Sequence, residues 1–206
     1  MRRGEALARR WQVEPAVEPE RAAALARELG ATPPDPGPER VRRPPLDYRE
    51  AMAPYQPSPG VALYTPRAFL HTLKGTIELH LDVVETPLTT ASFLALAQAG
   101  FYDGLSFHRV EPGFVVQGGD PRGDGNGGPG YTLRCELSGS AYARGSVGMA
   151  LSGRDTGGSQ FFITLQPQPQ LDGAYTLFGT VAAGMEVVDR LRPGDVIERV
   201  EVWTGE

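Results

Sequence analysis

Residues 107–120 read Phe-His-Arg-Val-Glu-Pro-Gly-Phe-Val-Val-Gln-Gly-Gly-Asp. Pro112 supplies a fixed φ and Gly113 a permissive one, the pair that a type II turn requires. An apolar run lies on each side of this turn. The first closes on His108, Arg109 and Val110; the second is Phe114, Val115, Val116 and Gln117. Strict alternation predicts that Phe114 and Val116 share one face and that Val115 and Gln117 share the other. Gly118 and Gly119 then break the strand. The stretch therefore folds back on itself as two short strands. It sets an arginine and a glutamine beside large apolar side chains.

The 206 residues suffice for one well-cored domain and an extension. A formal charge of −5 gives no basic excess of the kind that marks a nucleic-acid partner. No segment approaches the roughly 18 apolar residues of a membrane span. Met1, Arg2 and Arg3 are not followed by an apolar stretch, so a secretory signal is not supported and the cytoplasm is the expected compartment. Cys135 is the one cysteine, which excludes an intramolecular disulfide. It reads as a buried or half-buried strand residue.

Two regions differ in texture. Residues 1–65 read as a helical segment followed by a proline-rich linker or arm. Helical candidates cover residues 5–11 and 20–29, the second stopping at Gly30. Nine prolines fall in residues 31–60, which exclude a helix or a central strand there. Residues 66–206 read as a separate domain. Runs at residues 69–73 and 76–81 flank Lys74 and Gly75 as a hairpin. Thr86 and Pro87 open a helix, as N-cap and first helical residue, that ends at Gly100. Further β runs cover residues 146–151, 161–165, 176–181 and 196–203, with a second helix over residues 184–191. Many short strands with only two helices favour a mainly β architecture, a closed antiparallel β-barrel.

Several chemistries are excluded on residue grounds. The glycine-rich residues 121–130 lack the Gly-Lys-Ser/Thr of a phosphate loop and read as a surface loop rimming a groove. His71, His80 and His108 stand at no metal-ligand spacing. Ser159, His108 and Asp120 suggest a hydrolase, yet Ser159 lies in Gly-Gly-Ser-Gln-Phe-Phe rather than Gly-x-Ser-x-Gly. What remains is an apolar set, Phe114, Val115, Phe162, Leu171, Tyr175 and Phe178, with Arg109 and Gln117. Of these, Phe178 reads as plain barrel core.

The region from about residue 67 to 203 resembles the cyclophilin-type peptidyl-prolyl cis-trans isomerases. Three ordered motifs carry the resemblance: residues 107–120, residues 157–164 (Gly-Gly-Ser-Gln-Phe-Phe-Ile-Thr), and Leu171-Asp172-Gly173 with Phe178-Gly179. The resemblance implies an eight-stranded antiparallel barrel capped by two helices, with the groove on its outer face. It implies catalysis of rotation about X-Pro bonds by Arg109, with Gln117 as its polar partner. Phe114, Val115, Phe162 and Leu171 match the walls of a proline pocket, and Gln160 a polar contact. Gly125, Ala150, Leu151 and Ser152 match the groove for residues before proline. Tyr175 stands where many eukaryotic members have histidine, and Leu151 replaces a common asparagine. Gln170 replaces a tryptophan common in cyclosporin-sensitive members, which implies weak cyclosporin binding. The implied partners are proline-containing peptides and unfolded or flexible protein segments, with no nucleic acid, no membrane and no cofactor. A proline-peptide binding module or chaperone without turnover is the alternative that the residues leave open.

Overall fold

Burial alternates along the first two strands, as expected of a sheet with one face on a core and the other toward solvent. In the computed structural model, which describes residues 65–203, β1 (Arg67–Thr72) buries Ala68, Leu70 and Thr72. β2 (Gly75–Leu81) buries Ile77, Leu79 and Leu81. The two pair antiparallel from Arg67↔His80 to Thr72↔Gly75, with the hairpin turn where the sequence places it. The expected helices within residues 1–65 and the proline-rich arm lie outside the described residues, apart from Thr65.

Next comes α1 (Pro87–Gln98), which the sequence brackets to within a residue. Its C-terminus closes with a Schellman pair: Phe101 N–H donates to Leu96 O at 3.0 Å and Gly100 N–H to Ala97 O at 2.9 Å, with Gly100 left-handed at φ 68°. The N-terminus differs from expectation. Thr86 occupies the N-cap position, but its hydroxyl turns back to donate to Asp82 O at 2.8 Å. The Glu136 carboxylate caps the helix instead, accepting from Leu88 N–H at 2.9 Å and Thr89 N–H at 2.8 Å. Phe93 of α1 plugs the main core, with ring centroids 5.0 Å from Tyr102, 5.6 Å from Phe161 and 5.5 Å from Phe178. Phe178 is indeed core.

The remaining elements are β3 (Arg109–Val110), β4 (Val115–Gly118), β5 (Ser146–Met149), β6 (Phe161–Thr164), β7 (Leu177–Ala183), α2 (Met185–Val188) and β8 (Ile197–Trp203). The sheet has eight strands in the order β3-β4-β6-β5-β7-β2-β1-β8, all pairs antiparallel. Register shifts at His71/Thr72, Glu78/Leu79 and Val147/Gly148 bend the ladder. Such bulges increase local twist, and the sheet is strongly curled. The strand ladder itself runs from β3 to β8. Between its ends, Gly104 N–H donates to Ile197 O, Ile197 N–H to Leu105 O and Phe107 N–H to Asp195 O, each at 2.8 Å.

Two finer expectations are corrected. The second helix is one turn rather than eight residues, because the chain tightens after Val188 into three-residue turns: Arg190 N–H bonds Val187 O and Leu191 N–H bonds Val188 O. Cys135 is half-buried, as expected, but sits in a loop rather than a strand. Its backbone N–H is held by Asp155 Oδ1 and its Sγ accepts from Asp155 N–H.

The central strands β5 and β6 are buried on every residue. Phe161 and Ile163 point into the main core, while Phe162 belongs to a second apolar cluster. Burial on both faces is how a curled sheet carries a second apolar cluster beside its main core.

Candidate active site

The turn at Pro112 and Gly113 forms as the sequence dictates. Phe114 N–H bonds Glu111 O at 3.0 Å, Gly113 has φ 72°, and Glu111 N–H closes the hairpin on Val115 O at 2.8 Å. Arg109 therefore stands directly across the ladder from Gln117. Its Nη1 donates to Gln117 Oε1 at 3.2 Å. The relay continues, with Gln117 Nε2 donating to Gln160 Oε1 at 3.0 Å. Gln160 Nε2 donates onward to Gly125 O at 3.0 Å and Gly127 O at 2.8 Å. On its other edge Arg109 donates from Nε and Nη2 to Glu111 Oε1, at 2.9 and 2.6 Å. Its guanidinium carbon lies 5.7 Å from the Phe114 ring centroid, within cation–π range.

Beside this polar row lies the second apolar cluster. Val115, Tyr142, Phe162, Leu171 and Leu177 are buried in it, with Phe114, Ala150 and Tyr175 at its margin. Phe162 packs edge-on against Tyr175 at 5.8 Å and stacks on Tyr142 at 5.7 Å. Strand alternation assigns Val116 to the main core and Val115 to this cluster. The expected pairing of Phe114 with Val116 is corrected: Phe114 joins Val115, because β4 starts at Val115 and alternation does not extend back into the turn. The Gln168 amide ties the two halves together by donating to Gly113 O at 2.8 Å. The result is a permanently charged, planar donor beside an apolar wall.

A family model described as cyclophilin type peptidyl-prolyl cis-trans isomerase/CLD matches residues 68–203. The chain belongs to this family. Among its cyclophilin relatives, a peptidyl-prolyl cis-trans isomerase of Synechococcus elongatus is 51% identical over 140 residues, covering 67% of this chain and 97% of the relative. Peptidyl-prolyl cis-trans isomerase B of Bacillus subtilis is 52% identical over 128 residues, covering 61% and 90%. A Cryptosporidium parvum cyclophilin crystal structure superposes with a TM-score of 0.66 at 32% identity, covering 69% of this chain and all of that one. The same protein crystallised in the presence of the dipeptide ala-pro gives a TM-score of 0.64 at 32% identity, covering 66% and 98%. By this homology the chain is a peptidyl-prolyl cis-trans isomerase.

Of the residues that the cyclophilin resemblance singles out, Arg109, Gln117, Gln160 and Gly125 form one hydrogen-bonded row. Phe114, Val115, Ala150, Phe162, Leu171 and Tyr175 form one apolar cluster. Ala150 reaches the row through its N–H, which bonds Gln160 O at 2.9 Å. Leu151 packs against the main core instead of this cluster. Ser152 is exposed, and its N–H bonds Thr156 Oγ1 at 2.9 Å. The rejected hydrolase trio is otherwise engaged. Ser159 donates to Gly119 O at 2.7 Å, and Asp120 accepts from the Arg122 and Gly125 N–H groups. Neither ring nitrogen of His108 has a partner among the described residues.

Sequence reading missed Tyr142, Leu177, Gln168 and the side chain of Glu111. Leu177 was legible, since it alternates with the core residue Phe178. Glu111 lies in the turn just past β3, where alternation gives no signal. Tyr142 sits among small and polar residues and carries no periodic signal. Its hydroxyl is buried without a partner among the described residues. Burial, and then the charges of Asp172 and Tyr175, push its ionisation well above the ordinary tyrosine range.

Proposed function

We propose that Arg109 is the catalytic residue and that the second apolar cluster grips the proline ring of peptides and flexible protein segments. The observation that carries this reading is the placement of the guanidinium beside Phe114, at the edge of that cluster. A peptide bond resists twisting by about 18–20 kcal/mol because of C–N resonance. X-Pro bonds populate both isomers and exchange in tens to hundreds of seconds. At the twisted transition state the resonance is lost and the prolyl nitrogen becomes a lone-pair acceptor. A donor aimed there stabilises the transition state and not the planar ground state, which is the differential binding that catalysis needs. Arg109 suits this role, since a guanidinium is a planar cation that holds its N–H donors in a fixed fork. In this reading Gln117 orients it through Nη1. Gly125, Ala150, Leu151 and Ser152 receive the residues before proline.

The alanine–proline dipeptide named with the Cryptosporidium parvum structure supports a proline-containing substrate. Gln170 supports weak cyclosporin binding, its amide being directed to Gln168 Oε1 at 2.6 Å. We also read the curled sheet as a closed barrel. The hydrogen bonds between residues 104–107 and 194–197 support closure. A domain boundary near residue 65 is supported by the family match, which starts at residue 68.

The deciding experiment compares wild type and Arg109→Ala on an Ala-Pro peptide in a protease-free NMR exchange assay. The expected loss in kcat/KM is roughly ten- to a thousandfold, about 1.4–4 kcal/mol, with the fold intact. Wild-type turnover in the variant would sink the assignment. Binding without accelerated exchange by the wild type would favour a binding module.

A further inference from the structure

Three bonds use three of the five N–H groups of Arg109, and two of the three end on one atom, Glu111 Oε1. The side chains of this pair are half open to solvent, 45% for Arg109 and 49% for Glu111. Such a pair is weak and exchanges partners easily. Glu111 also terminates the polar row. The order is Glu111, Arg109, Gln117, Gln160, then the carbonyls of Gly125 and Gly127. The Gly125 end is the one assigned above to residues before proline. With the proline ring in the apolar cluster, the chain leaving proline runs toward the Glu111 end.

We infer that Glu111 makes the site select for a cationic side chain in the residue that follows proline. This rests on the proposed binding direction and on the proposed role of Arg109. A substrate lysine or arginine there pairs with the Glu111 carboxylate and takes the place of Arg109. The freed Nε and Nη2 edge can then turn to the prolyl nitrogen. An anionic side chain at the same position does the opposite. It meets the Glu111 charge and competes for Arg109, holding the guanidinium away from the reacting bond. No covalent step is involved; the device is an exchange of ion-pair partners.

The test uses three peptides that differ only in the residue after proline: lysine, glutamine or glutamate. Both kcat/KM and the dissociation constant are measured by NMR for wild type, Glu111→Gln and Glu111→Asp. Wild type is expected to favour the lysine over the glutamate peptide by about three- to tenfold at low salt. The ratio should shrink at about 0.5 M salt, where the screening length falls to a few ångströms. Lysine should lose its advantage over glutamine in Glu111→Gln and keep it in Glu111→Asp, which keeps the charge. An equal ratio in wild type and Glu111→Gln overturns the inference. So does the same preference for a lysine placed before proline, which would put the cation at the wrong end. If the glutamine peptide binds but is not turned over, the isomerase role of Arg109 fails, while the ratio of dissociation constants still decides the role of Glu111.

Discussion

Gly148 leaves the space that the Tyr142 ring occupies: a Cβ at position 148 would lie 2.5 Å from the Tyr142 hydroxyl oxygen and 2.3 Å from Cζ of Phe162. Position 148 falls at the register shift between β5 and β7, directly across the ladder from Phe162. A missing side chain on one strand thus sets the position of a ring of the second apolar cluster on the next. Gly148→Ala should cost about 1–3 kcal/mol by overpacking. It should also raise KM for proline peptides, because Phe162 has to move. Denaturant unfolding and NMR exchange kinetics read the two effects, and an unchanged KM would remove Phe162 from the proline contact.

Tyr142 carries a hydroxyl that is buried with no partner among the described residues, on a side chain only 2% exposed. A buried unsatisfied polar atom costs free energy that an isosteric apolar residue does not. Tyr142→Phe should therefore gain about 1 kcal/mol of stability. Tyr142→Ala should lose about 3–5 kcal/mol, the range for removing a buried aromatic ring. A loss on Tyr142→Phe would indicate a partner for the hydroxyl.

Burial raises the ionisation of Tyr102 and Tyr142 far above the ordinary value; the charge of Tyr131 adds to the first, those of Asp172 and Tyr175 to the second. Both are neutral when protonated, so a raised folded value means the native state holds protons that the unfolded chain releases. The stabilisation is complete below the unfolded value of about 10 and declines as pH rises above it. The slope is up to about 1.4 kcal/mol per pH unit for each tyrosine. Urea midpoints between pH 9 and 11 should fall accordingly, and Tyr142→Phe should remove its share of the slope. Tyrosinate absorbance appearing at these two sites before unfolding would contradict this.

Glu136 accepts two backbone N–H groups at the start of α1 from 48 and 47 residues away. Losing an equivalent cap costs about 0.5–2 kcal/mol. Glu136→Ala should lower stability by that amount and leave kcat/KM within about twofold, since α1 contributes nothing to the polar row. Thermal unfolding beside an activity assay separates the two readouts.

Local rules carried much of this fold. Proline and glycine at 112–113 favour a tight turn through their own φ preferences, so the Arg109–Gln117 opposition follows from counting residues across it. In the structure, alternation along β6 separates Phe161 and Ile163 from Phe162. It failed at Phe114, which precedes β4. The site was half legible for the same reason. Arg109, Val115, Gln117 and Phe162 lie on strands whose register the sequence specifies, whereas Tyr142 and Gln168 come from loops.

The sequence by itself determined the paired strands around residues 107–120, the bounds of α1, the family and the opposition of Arg109 to Gln117. Each depends on periodicity, turn chemistry or motif order, which act over a few residues. Tertiary structure alone decided that Glu136 caps α1, that Tyr142 fills the space beside Gly148, and that Gln168 ties its segment to Gly113. These contacts join segments far apart in the chain. How far the sheet curls, set by three register shifts, determines which loops meet, and no local signal encodes that curvature.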